Sequence, residues 1–452
     1  MAKTLDMTEG KPLGLMIRFS VPLLISNALQ MLFVVVDSAI VGRILGVNAF
    51  ASIGVTASPH WLVFSAVIGI NIGFGTLIAQ RFGAKDMDGL RRAFVTAMYL
   101  SLAFGVAIGI GGVFVCRPLL ELLATPPEII DGAVIYLSWL WAGKPLVVLY
   151  NLLAMTLFSL GDSKTPLYAM IMASIVNIVL NLILIFPFGL AGVAAASLVA
   201  QISGIIFCAI AIRKTGLFKG CGKNFDRSSA IPLLKLALPL GFRNAVIEIG
   251  GLIMQRYINE YGTEFVAGMA AARRMYSFLM IGGGAIEASV GTFVAQNFGA
   301  GQLKRVKRGV RDGLKMVAIS SIFLMAVSFP FGRHILSLFI DGDATQVTEV
   351  LAVGTRQLNL MTAGLPLLYL LFLYRAALQG LGNTVIPMIS GFAELTMRII
   401  SVVLLTGVLG VWGIHLADPI GWPIAAILLI SSYYIVLKRV ERKELELNEK
   451  GR

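Results

Sequence analysis

The chain has little charge. Asp, Glu, Lys and Arg make up 13% of its 452 residues, about half the roughly 25% usual in a soluble domain. Too few ionised side chains remain to cover the surface of a soluble protein of this length. Cysteine is also scarce: Cys116, Cys208 and Cys221 form neither a metal-binding spacing nor a disulfide framework. The three histidines, His60, His334 and His415, are dispersed singles, suited to packing or a membrane interface rather than to holding a metal. No Gly-rich loop ending in Lys-Ser or Lys-Thr is present, which argues against ATP-driven work within this chain. No paired catalytic constellation points to an enzyme. Nor is there the alternation of an outer-membrane barrel strand, so helices must satisfy the backbone in lipid. Met1–Lys11 is polar and lacks a cleavable-signal pattern, so the first helix is expected to act as its own insertion signal.

Apolar residues make up 57% of the chain. Stretches such as Ala169–Leu190 and Val317–Phe331 contain no charged residue, and a helical span needs about 20 mostly apolar residues. Twelve spans are predicted. In the first half they run 14–42, 48–80, 92–116, 132–160, 166–187 and 189–213. In the second half they run 232–258, 265–296, 310–337, 350–380, 385–409 and 411–437. The expected organisation is a six-helix lobe over 1–213, a linker over 214–231, a second six-helix lobe over 232–437 and a tail over 438–452.

The net charge of +13 does not indicate nucleic acid, because the basic residues fall in short loops between spans. Arg81, Lys85, Arg91 and Arg92 follow the second span, and Lys164 the fourth. Lys214, Lys219, Lys223 and Arg227 follow the sixth; Lys304, Arg305, Lys307, Arg308 and Arg311 the eighth; Lys438, Arg439, Arg442 and Lys443 the last. The opposite loops carry Glu121, Glu128 and Asp131, then Glu260 and Glu264, then Asp341 and Asp343. The positive-inside rule then puts both termini in the cytoplasm, with the chain in the cell membrane.

The two halves repeat each other. Ala79-Gln80-Arg81-Phe82-Gly83-Ala84 returns as Ala295-Gln296-Asn297-Phe298-Gly299-Ala300, an offset of 216. Pro22 and Asn27 return as Pro239 and Asn244 at 217. Gly143, Pro145, Leu160-Gly161, Pro166, Gly189 and Gly192 return as Gly364, Pro366, Leu381-Gly382, Pro387, Gly410 and Gly413 at 221. Six spans per half gives both halves the same topology, as in parallel transporter repeats, whose substrate sites lie at the repeat interface. The chain therefore reads as a secondary transporter.

Ionisable residues inside spans are costly and mark function by default. Asp37 lies in an otherwise apolar stretch about five residues from the outer end of its predicted span, roughly 8 Å deep. A carboxylate there can exchange a proton or a sodium ion. Asn177 and Asn181 stand one turn apart on the fifth span and share a face, and Asn181 is at a similar depth. A carboxylate with two amide oxygens makes a hard-cation site. Interhelical hydrogen bonding explains the asparagines equally well. Pro22 interrupts the helix hydrogen bonds of the first span and permits a bend there, a gating element.

The second half carries Arg243 and Glu248 in the seventh span, Glu287 in the eighth, and Glu394 and Arg398 in the eleventh. Glu394 and Arg398 are four apart and are expected to pair on one helix face. Glu248 and Glu287 have no obvious local partner and are candidates for a cationic ligand. Arg273 and Arg274 fall near an inferred midspan, so either the boundary is displaced or they face an aqueous cavity. The 18 methionines and 26 phenylalanines could line an adaptable apolar pocket.

Together these motifs resemble the multidrug and toxic compound extrusion (MATE) transporters over nearly the whole length. The resemblance rests on the six-plus-six repeat, Pro22 with Asp37-Ser-Ala-Ile-Val-Gly, the Gln-x-Phe-Gly-Ala that closes the second and eighth spans, and Gly161-Asp-Ser-Lys-Thr-Pro166. It implies an all-α integral membrane fold, with twelve transmembrane helices in two pseudo-symmetric six-helix lobes. It also implies export of amphiphilic, cationic compounds in exchange for sodium ions or protons. The cation site it implies maps to Asp37, Asn177 and Asn181. Prokaryotic relatives often have a second carboxylate where this chain has Asn181, so the choice between a proton and Na+ stays open. The expected partners are small amphiphilic substrates and membrane lipid, with no cofactor beyond the coupling ion and a monomeric chain. The rival within the wider superfamily is a flippase for a lipid-linked saccharide, which usually has more helices and a more charged cavity.

Overall fold

The computed structural model describes residues 5–217, 225–338, 340 and 343–450. Lys219, Cys221, Lys223 and Asp341, singled out in the sequence, lie outside the described residues. Every regular element among the described residues is helical. The first half holds α1 (Pro12–Leu45), α2 (Val47–Gly83), α3 (Met87–Leu122), α4 (Pro127–Ala142), α5 (Lys144–Ser159) and α6 (Lys164–Lys214). The second holds α7 (Arg227–Ile258), α8 (Thr263–Gly299), α9 (Leu303–Ser337), α10 (Ala344–Gly380) and α11 (Val385–Ile400). A π-helical turn, Ser401–Leu405, leads to the short α12 (Thr406–Leu409) and α13 (Trp412–His415), and α14 (Gly421–Lys450) closes the chain.

Ten of these segments are individually long and apolar enough to cross a membrane, and the bent pair α4 and α5 makes one more. The twelfth is hidden in α6. At 1.5 Å per residue its 51 residues would reach about 77 Å, more than twice a hydrocarbon core of about 30 Å. The helix is in fact broken at Gly189, whose φ of 55° and ψ of −132° are not helical. The predicted boundary between the fifth and sixth spans falls at this residue. The fourth span departs from a simple rod: α4 and α5 meet at Gly143 with a bend of 47°. Its sequence counterpart, Gly364 with Pro366, lies inside the continuous α10.

Two compact units result, one of Met1–Met7 and Val21–Gly241, the other of Thr8–Ser20 and Phe242–Arg452. The core of the first includes Ile78, Leu90, Phe94, Leu157 and Cys208, with Leu137 and Trp141 packed around Cys116 and Leu120. The second packs Met254, Ile258, Phe265 and Met269 against Val402 and Ile414. Large apolar side chains such as Ile319, Ile322 and Phe323 are outward and exposed, as helices facing lipid require.

The repeat reaches the backbone torsions. Gly161 and Gly382 both have φ of 82°, and Gly189 and Gly410 have φ of 55° and 57°. Lys85 and Gly301, also in register, are both left-handed, at 57° and 68°. After Gly189 and Gly410 the chain folds back tightly. A Cβ at Gly192 would lie 2.1 Å from the Leu184 carbonyl oxygen, and one at Gly413 2.4 Å from the Thr406 nitrogen.

Candidate functional site

In the first unit the three predicted polar residues meet. Asp37 is half-buried on α1, while Asn177 and Asn181 are 2% and 0% exposed on α6. Asn181 Nδ2 donates to Asp37 Oδ1. The same amide donates to Asn177 Oδ1 at 2.9 Å. Asn177 Nδ2 in turn donates to Ser197 Oγ at 3.0 Å, and Ser197 Oγ donates to the Val193 carbonyl at 3.2 Å. The chain of donors ends at the carboxylate on one side and at a backbone carbonyl beyond the Gly189 break on the other. Asn181 Oδ1 is buried and meets no donor. A buried carbonyl without a donor is costly, and oxygen is the ligand type a hard cation or an added proton would use.

Tyr136, buried on α4 and packed with Val41 and Ile185, interacts electrostatically with Asp37. Tyr136 and Ser197 were not singled out in the sequence. Each is a common residue type on a distant helix, and only the fold brings it to Asp37. No cluster of three or more His, Cys, Asp or Glu side chains is present among the described residues, so a multi-carboxylate metal centre does not describe this site. Pro22 is buried within α1, fifteen residues before Asp37.

The second unit carries a different polar cluster. Arg243 on α7 and Arg375 on α10 are 4% and 3% exposed. Arg243 pairs with Glu287 at 3.5 Å and donates to Asn244 Oδ1 at 2.8 Å. Gln379 also reaches Glu287, at 3.5 Å, so Glu287 has partners that its sequence neighbourhood did not offer. The expected intrahelical pair of Glu394 and Arg398 is replaced. Glu394 takes Arg375 at 2.6 Å, and Arg398 takes Asp418 at 2.6 Å. Arg398 also donates to the Ile247 carbonyl at 3.1 Å. The physical reason is geometry: a bond across helices can align a guanidinium with a carboxylate more directly than an i,i+4 pair does. Arg375 and Asp418 carried no helical-spacing signal of their own. Glu248 is half-buried on α7.

Arg273 and Arg274 lie where the predicted span placed them, since 265–296 is observed as Thr263–Gly299. Both are exposed, and Arg274 lines a cavity of about 430 Å³ with Glu264 and Gln346. His415 packs as expected of a single buried histidine, with Nδ1 bonded to Gln357 Oε1 at 2.7 Å.

Known proteins give the same picture. The MatE family model matches residues 22–183 and 239–404, well over half of the chain and once in each half. A probable multidrug resistance protein, YpnP of Bacillus subtilis, is 30% identical over 354 residues, covering 77% of this chain and 79% of its own. The multidrug export protein MepA of Staphylococcus aureus is 24% identical over 453 residues, with 96% of both chains covered. Among solved structures, a MOP superfamily transporter from Pyrococcus furiosus has a TM-score of 0.87 at 22% identity, covering 97% of this chain and 99% of that one. A multidrug resistance MATE family transporter in an outward-facing conformation has a TM-score of 0.88 at 21% identity, over 97% and 98% of the two chains. With the repeat, the twelve spans and the intramembrane carboxylate already in place, these matches show that the chain belongs to the MatE family, the multidrug and toxic compound extrusion transporters, and is a multi-pass membrane protein.

Proposed function

We propose that this protein is a secondary antiporter that exports amphiphilic, cationic compounds in exchange for H+ or Na+. We further propose that it sits in the cytoplasmic membrane with both termini cytoplasmic. The observation that supports the reading most is the bonding of Asn181 to Asp37, with Asn181 Oδ1 left without a donor. A carboxylate and an amide side by side can answer an arriving ion by a rotation of the amide. With Asp37 ionised, Asn181 offers its N–H. When Asp37 binds a proton or Na+, the amide turns and offers its oxygen instead. The turned amide can no longer donate to Asn177 as it does now, so the change passes along Asn177 to Ser197 and the break at Gly189. Pro22 allows α1 to bend in response. An ion shifts a two-state equilibrium only by its difference in affinity between the states, and the amide rotation supplies such a difference.

For the substrate cation the favoured acid is Glu287. Its contacts to Arg243 and Gln379 are both long, at 3.5 Å, so a cationic ligand displaces less there than at the closely paired Glu394. Glu248, Glu394 and Arg398 complete the charged lining in this reading. Support for multidrug export comes from MepA, named a multidrug export protein, and from YpnP, named a probable multidrug resistance protein.

The test is efflux of a cationic dye from proteoliposomes under separately imposed Na+ and H+ gradients. One gradient should drive efflux by the wild type, and neither should drive it for Asp37→Asn. Undiminished gradient-driven efflux by that variant would sink the mechanism.

A further inference from the structure

The first unit holds a second polar site with the opposite charge. Lys144 is fully buried, at 0% exposure. It is the first residue of α5, immediately after the 47° bend at Gly143. Its Nζ meets no hydrogen-bond acceptor. The ammonium lies 5.7 Å from the centroid of the Phe64 ring, and His60 stacks on that ring with centroids 6.1 Å apart and planes 18° apart. Lys144 and His60 interact electrostatically, and His60 Nδ1 is also buried without a partner. Among the described residues no carboxylate bonds Lys144 Nζ.

An ammonium carries three donors, and burying one without an anion is expensive. The Phe64 face recovers only about 0.5–2 kcal/mol as a cation–π contact. The other buried arginines of the spans, Arg243 and Arg375, each have a carboxylate partner. Lys144 differs in having none. Its place at the start of α5 adds the partial positive charge of the helix end. An aromatic wall, three free ammonium donors and a half-buried imidazole suit a ligand with a flat ring and a carboxylate or phosphate.

The helix is also interrupted beside this site. Pro145 has no N–H to give the Trp141 carbonyl, so the helix ladder is interrupted beside Lys144. On α3, Gly105 makes room for this break: a Cβ there would lie 2.6 Å from Pro145 Cα.

We propose that Lys144, with His60 and Phe64, is a binding site for the anionic group of aromatic carboxylates or phosphates, which extends the substrate range beyond cations. Its role in transport rests on the exporter reading above, whereas the binding site itself does not.

The experiment uses two xanthene dyes of opposite charge, fluorescein and rhodamine 6G, with affinities measured by fluorescence polarisation on the purified full chain. Wild type is expected to bind both. Lys144→Met and Lys144→Gln should weaken fluorescein on the order of tenfold, the scale of one charge-assisted hydrogen bond, and leave rhodamine 6G within about twofold. Lys144→Arg should keep most of the fluorescein affinity, which also answers for a Met or Gln variant that fails to fold. No fluorescein binding by the wild type overturns the proposal. So does equal fluorescein affinity in wild type and Lys144→Met, or a Lys144→Arg variant as weak as Lys144→Met. Failure of wild-type proteoliposomes to export rhodamine 6G would instead overturn the exporter reading, leaving the fluorescein affinities to decide the anion site.

Discussion

Asn181 turns its amide nitrogen toward Asp37 and keeps its amide oxygen buried without a donor. One side chain therefore both satisfies the carboxylate and holds an unused ligand beside it. Removing that side chain should separate the two roles. Asn181→Ala is expected to weaken Na+ about tenfold through loss of the amide oxygen offered to the ion, the scale of the roughly 1.5 kcal/mol of a charge-assisted contact. It should make a proton bind more readily, because the N–H lost with it favours the ionised carboxylate. It should also leave Asn177 Oδ1 without its present donor. The measurement is the half-saturating Na+ or H+ concentration for dye efflux. An unchanged value would remove Asn181 from the ion site.

Asn181→Asp goes the other way by placing a second carboxylate beside Asp37. Like charges this close cannot both stay ionised cheaply, so the pair should hold a cation more tightly. The expected outcome is a lower half-saturating ion concentration and slower ion release, with turnover falling as affinity rises. Efflux kinetics across an ion titration in proteoliposomes check this. Weaker ion dependence in Asn181→Asp would contradict the assignment.

Much of this site could be read from the sequence because lipid leaves few reasons for a polar residue. Asp37, Asn177 and Asn181 stood out against apolar neighbours at helical spacing, and the fold brings them together. Tyr136 and Ser197 did not stand out, because spacing along one helix says nothing about which other helix arrives. The same blindness misled the reading of Glu394 and Arg398, whose i,i+4 spacing allowed a pair that Arg375 and Asp418 supersede from elsewhere. The bend at Gly143 was hidden by the repeat itself: Gly364 and Pro366 match Gly143 and Pro145 in sequence, yet α10 runs through without a break. Lys144 stands between that glycine and proline, where the other half has Leu365.

The Arg375–Glu394 bond tests whether the second unit's cluster is structural. Both side chains are nearly inaccessible, and the bond is 2.6 Å long. Removing one partner strands a buried charge, which costs about 3–5 kcal/mol, whereas replacing both with apolar residues of similar volume is often close to neutral. Glu394→Leu alone should therefore lower the thermal unfolding temperature strongly. Combining it with Arg375→Met should recover most of the loss. A double variant no more stable than Glu394→Leu would show that Arg375 stabilises the unit through contacts other than Glu394, such as the Phe372 ring.

Gly189 and Gly192 offer the sharpest stability contrast, because both belong to the turn that joins the fifth and sixth spans but for different reasons. At Gly189 the constraint is torsional: φ is 55° and a Cβ would meet nothing within 4 Å. Gly189→Ala should thus cost only the strain of a left-handed residue, about 1–2 kcal/mol. At Gly192 the torsion is ordinary but the space is missing, since a Cβ would sit 2.1 Å from the Leu184 carbonyl oxygen. That atom is backbone and cannot swing aside, so Gly192→Ala must push the two segments apart. The substitution should destabilise the fold more than Gly189→Ala does. It should also disturb ion binding, because Asn181 lies one turn before Leu184 on the same helix. Thermal unfolding in detergent, with and without saturating coupling ion, measures both effects. The expected order is wild type above Gly189→Ala above Gly192→Ala, with ion-dependent stabilisation kept in the first variant and reduced in the second.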